Sequence, residues 1–94
     1  MIVKQETNKI SLNDDNDHML AVVTFPKLQE GVVNLDHTFV DPSLRGQGVG
    51  STLMDAAVEY FRANHLKVKP SCSFAVKYFD EHPESHDVLF NTFQ

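Results

Sequence analysis

Arg45-Gly46-Gln47-Gly48-Val49-Gly50-Ser51 is the segment whose residue types and spacing best serve chemistry. Glycine at alternate positions is unfavourable in regular structure, and useful where a backbone turns tightly or must approach another group closely. The segment leads into a helical pattern, so its amide N–H groups stand bare at the positive end of a helix, and Arg45 adds a cation beside them. That combination suits a phosphate or pyrophosphate, and so a nucleotide-containing ligand. Two familiar phosphate loops do not fit. No Lys-Ser or Lys-Thr pair follows the glycines, as a nucleoside-triphosphate loop requires. A dinucleotide fold needs another glycine spacing and an acidic residue after the next strand, where this chain has Lys67-Val68-Lys69-Pro70.

The elements around the segment follow from periodicity. Val32 to Val40 alternates as one strand, with Val33, Leu35, His37 and Phe39 on one face and Val32, Asn34, Asp36, Thr38 and Val40 on the other. Asp41-Pro42 ends it, because proline donates no ladder hydrogen bond. From Gly48 to Asn64 the spacing turns helical through Val49, Leu53, Ala56, Ala57, Tyr60 and Phe61. Leu66 to Lys69 resumes a period of two, which predicts a strand, a crossover helix and a parallel strand. Ahead of this unit, Ile2 to Glu6, Lys9 to Leu12 and His18 to Phe25 read as a meander of strands interrupted by Pro26. The turn Asn13-Asp14-Asp15-Asn16-Asp17 lacks the glycine and final glutamate of a calcium loop. Ser71 or Ser73 is placed to cap a second, short helix that ends at His82-Pro83, and Asp87 to Phe93 suits either a helical turn or a terminal strand, a short helix on the sheet being the preferred of the two.

Composition sets the frame. Ninety-four residues, 41% of them hydrophobic with seven Phe, support one packed α+β domain spanning 1–94. Thirteen acidic against eight basic residues give a net charge of −5, which disfavours general nucleic-acid binding. A lone cysteine, Cys72, forms no internal disulfide, and no apolar run reads as a signal or membrane segment, so a cytoplasmic setting is expected. His65, His82 and His86 match no zinc spacing, so no metal is expected.

With strand, proline, arginine, glycines and helix in register, Val40-Asp41-Pro42-Ser43-Leu44-Arg45-Gly46-Gln47-Gly48-Val49-Gly50 resembles the pyrophosphate-binding signature of the GNAT N-acetyltransferases. The likeness covers Val32 to about Phe79. It implies an acyl-CoA N-acyltransferase fold: a mixed, mostly antiparallel sheet, a long helix after the central strand and a short second helix. It also implies acetyl-CoA as co-substrate, its pyrophosphate on Arg45, Gly46, Gln47, Gly48, Val49, Gly50 and Ser51. The pantetheine arm would run along the strand ending at Val40, where that strand splays from Leu66–Lys69. The chain is shorter than the family's usual members, as in a truncated single-domain branch. The acceptor amine, small molecule or protein, is therefore not legible, nor is the choice of monomer or homodimer.

Three side chains are candidates for the chemistry. Cys72, in a Pro-x-Cys segment that small members of this branch share, accepts the acetyl group, lines its pocket or packs as a small hydrophobe. His37 is placed to take a proton, or is packed among its apolar neighbours. Tyr78 protonates the leaving thiolate, or is a core aromatic with Phe74 and Phe79. The expected activity is transfer of an acetyl group from acetyl-CoA to an amine. The alternative is a module that binds CoA or acyl-CoA with little or no catalysis.

Overall fold

The computed structural model describes residues 2–90. Strands β1 (Ile2–Glu6) and β2 (Lys9–Asn13) form a hairpin, and β3 (Met19–Thr24) returns antiparallel beside β2. The aspartate-rich turn between β2 and β3 is held by Asp14, whose Oδ1 accepts the N–H groups of Asn16 and His18, each at 2.9 Å. These acidic residues thus serve the turn itself. Next come β4 (Lys27–Gln29), β5 (Val32–Leu35), β6 (His37–Val40), helix α1 (Val49–Ala63), β7 (Lys67–Pro70) and helix α2 (Ser73–Glu81). They build two sheets, ordered β1-β2-β3-β6 and β4-β5-β7. All pairs are antiparallel except β5 with β7, which α1 connects as a crossover.

The run expected as a single strand is divided at Asp36. Thr24 C=O accepts the Asp36 N–H at 3.3 Å, while His37 is the residue facing Thr24 in the ladder. Two residues therefore oppose one, which is a β-bulge, and a bulge inserts one step into the alternation of faces. Before it Val33 and Leu35 are buried, as expected. After it the expected faces exchange: His37 and Phe39 turn to solvent and Thr38 and Val40 turn inward. The bulge also separates the sheets, since β5 stays with β7 while β6 goes with β3.

The core lies between the sheets and the two helices. Val49, Leu53, Ala57 and Phe61 of α1 pack on Ile10, Leu12, Ala21 and Val23, and the Phe25 and Phe61 rings meet edge to face at 5.0 Å. Each such fully buried large side chain contributes roughly 1.5–3 kcal/mol. Helix α2 is capped by Cys72, not by Ser71 or Ser73, with Sγ accepting the Ala75 N–H at 3.4 Å. A 3-10 turn, Pro83–Val88, follows; Leu89 then bridges Val68 in parallel and the Phe90 N–H donates to Val68 C=O. Of the segment open to either a helical turn or a strand, Asp87 and Val88 thus finish a helical turn and an extended contact begins at Leu89, while residues 91–93 lie outside the described residues.

Candidate functional site

Asp41 shapes the approach to the glycine loop. Its Oδ1 accepts the Ser43 N–H at 2.9 Å and the Ser43 hydroxyl at 2.7 Å, and these bonds hold its carboxyl below the usual carboxylate range. A 3-10 turn, Pro42–Leu44, delivers the chain to Arg45. Gly46 and Gly48 then take φ of 84° and 72°, in the left-handed region that favours glycine. Gly48 is the N-cap of α1 and has no side chain to occupy the first turn. Consequently the N–H groups of Gly46, Gly48, Val49, Gly50 and Ser51 find no acceptor among the described residues. They form the donor-rich, electropositive end of a fifteen-residue helix.

Gly50 has a different reason. Its φ is ordinary, but a Cβ there would stand 2.6 Å from Cζ of Phe74, so glycine lets α2 approach the first turn of α1. Phe74, not singled out by sequence, is 40% exposed and forms one wall of a cleft of about 430 Å3. Thr38, Val40, Arg45 and the glycines line the rest. Arg45 makes no ion pair among the described residues.

The β6 side of this cleft is an open strand edge. Asp41 N–H donates to Leu20 C=O at 2.8 Å, and the register continues that ladder through Ala21 with Val40 to Thr24 with His37. Hydrogen-bonded pairs alternate along an antiparallel ladder, so the main-chain N–H and C=O of Thr38 and Val40 point away from β3. On the other side the chain leaving β7 closes against Leu35, whose C=O accepts the Ser71 and Cys72 N–H groups at 3.0 and 3.4 Å. The Ser71 hydroxyl also bonds Asn34 Oδ1. Beyond Leu35 no backbone bond joins the two sides, and they are linked by Thr38 Oγ1 and Cys72 Sγ, 3.5 Å apart.

The residues nominated from sequence divide accordingly. Val40, Arg45, Gly46, Gly48, Val49, Gly50 and Ser51 line the cleft; Gln47 is in the loop but bends back, Nε2 donating to Ser43 C=O at 3.4 Å. Cys72, half-buried, is not among the residues that line the cleft, but its Sγ lies 3.5 Å from Oγ1 of Thr38, which does. His37 does not line the cleft, because the bulge turns it to the opposite face of the sheet. Tyr78 does not line it either. Its hydroxyl donates to Asp55 Oδ1 at 2.6 Å, and burial together with that carboxylate pushes its pKa up to about 12. Among the described residues no three of His, Cys, Asp and Glu converge as metal ligands, and no helix is long and apolar enough to cross a membrane.

Known proteins resemble this chain in sequence and in fold. The family described as GCN5-related N-acetyl-transferase matches residues 9–88. Protein NATD1 of chicken is 30% identical over 80 residues, covering 85% of this chain and 71% of that protein. Mouse Protein NATD1 is 28% identical over 79 residues, covering 84% and 72%. A GCN5-like protein of Staphylococcus aureus, solved by NMR, superposes with a TM-score of 0.78 at 39% identity, over 96% of this chain and 88% of that one. A Mycobacterium tuberculosis protein solved with CoA superposes with a TM-score of 0.64 at 18% identity, over 81% and 47%, a likeness of fold. The cleft between a glycine-rich helix start and a splayed strand is thus set in a GNAT fold, and the chain belongs to the GCN5-related N-acetyltransferase family.

Proposed function

We propose that the protein transfers an acetyl group from acetyl-CoA to an amine. The observation that carries this reading is the meeting, in one cleft, of bare N–H groups at the start of α1 with the open edge of β6. The first suits a pyrophosphate, and Arg45 adds charge to it. The second suits the amide-bearing pantetheine arm, whose N–H and C=O groups pair with Thr38 and Val40 as an added strand would. The thioester then falls at the inner end of the cleft, beside Thr38 and Cys72. There the amine nitrogen forms its bond to the carbonyl carbon, the carbon–sulfur bond breaks, and the electron pair leaves on sulfur. The surplus proton on nitrogen passes to water or to the departing thiolate.

Cys72 lines the acyl end in this scheme. It also has the position for a covalent route, in which Sγ takes the acetyl group, CoA leaves as the thiol, and the amine attacks the new thioester. Trapping acetylated protein and locating the label elsewhere than Cys72 removes that route and leaves direct transfer.

The reading is tested by adding acetyl-CoA to isotope-labelled protein, then amines, while following amide shifts and released thiol. The expected result is shifts at Gly46 to Ser51 with Thr38 and Val40, and thiol release that depends on the amine. Unmoved loop amides overturn it. A second reading, a CoA-binding module without efficient catalysis, is favoured by one observation: neither His37 nor Tyr78 reaches the cleft to move a proton. Binding without amine-dependent thiol release selects it.

A further inference from the structure

The cleft does not end at Phe74. A second cavity of about 210 Å3 shares Ser51 and Phe74 with it and continues along α2 past Lys77 and Tyr78 to Glu81. The spacing of Phe74, Lys77, Tyr78 and Glu81 puts all four on one face of α2. At the rise of a helix, Lys77 stands about 4.5 Å beyond Phe74, and Glu81 about 6 Å beyond Lys77. A ligand that leaves the glycine loop on this side therefore meets an apolar wall, then a cation, then a carboxylate.

Lys77 is unlike most cations of the chain. Lys4, Lys9 and Lys27 pair with Asp17, Glu6 and Glu30, and Arg62 pairs with Glu59 and Asp87. Lys67 Nζ donates to Asp87 C=O at 2.5 Å. Lys77 makes no ion pair among the described residues, not even with Glu81 one turn away on the same face. Arg45 is in the same condition. One of these unpaired cations lines the cleft and the other its continuation, with the bare N–H groups at the start of α1 between them in the path.

We propose that Lys77 holds the 3′-phosphate of CoA and Glu81 the exocyclic amino group of its base, so that the cleft selects 3′-phosphorylated ligands; the inference rests on the acetyl-CoA reading of the cleft. Beyond its pyrophosphate CoA carries a ribose with a 3′-phosphate, and then adenine. The order of groups in the ligand is thus the order of residues along the groove: helix start, Lys77, Glu81. A phosphate oxygen accepts from the Lys77 ammonium, and a Glu81 carboxylate oxygen accepts from the amino group of adenine. Lys77 and Glu81 leave the continuation electrically balanced, so it discriminates by position and adds little to the salt dependence of binding.

Titration of the full chain with CoA and with 3′-dephospho-CoA, by calorimetry and by amide shifts, tests this. CoA is expected to bind roughly three- to tenfold more tightly, and the shifts of the two ligands to agree at Gly46 to Val49 and to differ at Phe74 to Tyr78. Lys77→Gln changes an exposed helix position and is expected to bring the two affinities within about twofold by weakening CoA alone. Glu81→Ala is expected to weaken 3′-dephospho-CoA roughly two- to fivefold, since that ligand keeps the base. Equal affinities in the unaltered protein, an equal loss of both ligands in K77Q, or an unchanged 3′-dephospho-CoA affinity in E81A would overturn the proposal, and loop shifts would still uphold the CoA reading. Binding of neither ligand, with the loop amides unmoved, would sink that reading and the subsite with it.

Discussion

Gly50 and Phe74 show that one glycine pattern serves two purposes. Gly46 and Gly48 answer to backbone conformation, but Gly50 answers to a ring on another helix. In Gly50→Ala the new methyl displaces the half-exposed Phe74 ring, while alanine gains up to about 1 kcal/mol of helix propensity. The variant is expected to fold normally and to bind CoA several-fold more weakly, and Phe74→Ala in the same chain to restore part of that affinity. Titrating the single and double variants with CoA checks this; a double variant as weak as G50A would mean the methyl meets the ligand itself. At Tyr78 the burden is stability. Its pKa, raised from 10.0 to about 12, means the folded state holds the phenolic proton more tightly than the unfolded chain. The stabilisation is therefore complete below pH ~10 and is lost as the pH climbs toward ~12. Tyr78→Phe is expected to cost about 1 kcal/mol at neutral pH through the lost bond to Asp55, and to show a flatter stability profile across that window by denaturant titration.

The bulge at Asp36–His37 is the element that makes the cleft. Without it β6 would continue β5, its edge would stay beside β7, and Thr38 and Val40 would have no open groups to offer. The ladder parity gives a direct check by hydrogen exchange. The His37 and Phe39 amides, bonded to β3, are expected to be protected with or without ligand, and those of Thr38 and Val40 to exchange fast until CoA binds. Slow exchange at Thr38 and Val40 in the free protein would show the edge already paired. The bulge also marks where sequence reasoning lost the site. The loop, α1 and the crossover were legible because proline, alternate glycines and a 3.6-residue period act locally. Asp36-His37 carries no such mark: neither residue is a proline or glycine, the alternation of the run continues through them, and only the pairing of Thr24 with two neighbours reveals the extra step. The face assigned to His37 was inverted for that reason. Phe74 was passed over because its role depends on the distance between two helices, and the cap fell to Cys72 because a thiol filled a place where serine is the usual choice.

At the scale of the whole molecule, charge and ligand oppose each other. The chain carries a net charge of −5, and CoA is a polyanion. General attraction cannot bring them together, and among the residues lining the cleft Arg45 is the sole Lys or Arg. Screening at physiological ionic strength confines such effects to about 8 Å, so the distant acidic surface and the local arginine are felt on different scales. Directional N–H donors and the open β6 edge must then supply most of the affinity, and hydrogen bonds of that kind depend little on salt. The CoA dissociation constant is accordingly expected to change less than about threefold between 50 and 300 mM salt, because screening weakens the pull of Arg45 and the push of the acidic surface together. Arg45→Ala is expected to weaken binding roughly three- to tenfold and to invert the residual trend, so that added salt now tightens the complex. Isothermal titration at several salt concentrations decides it: a tenfold loss for the unaltered protein over that range would place the binding energy in cations rather than in the amides of the loop and strand.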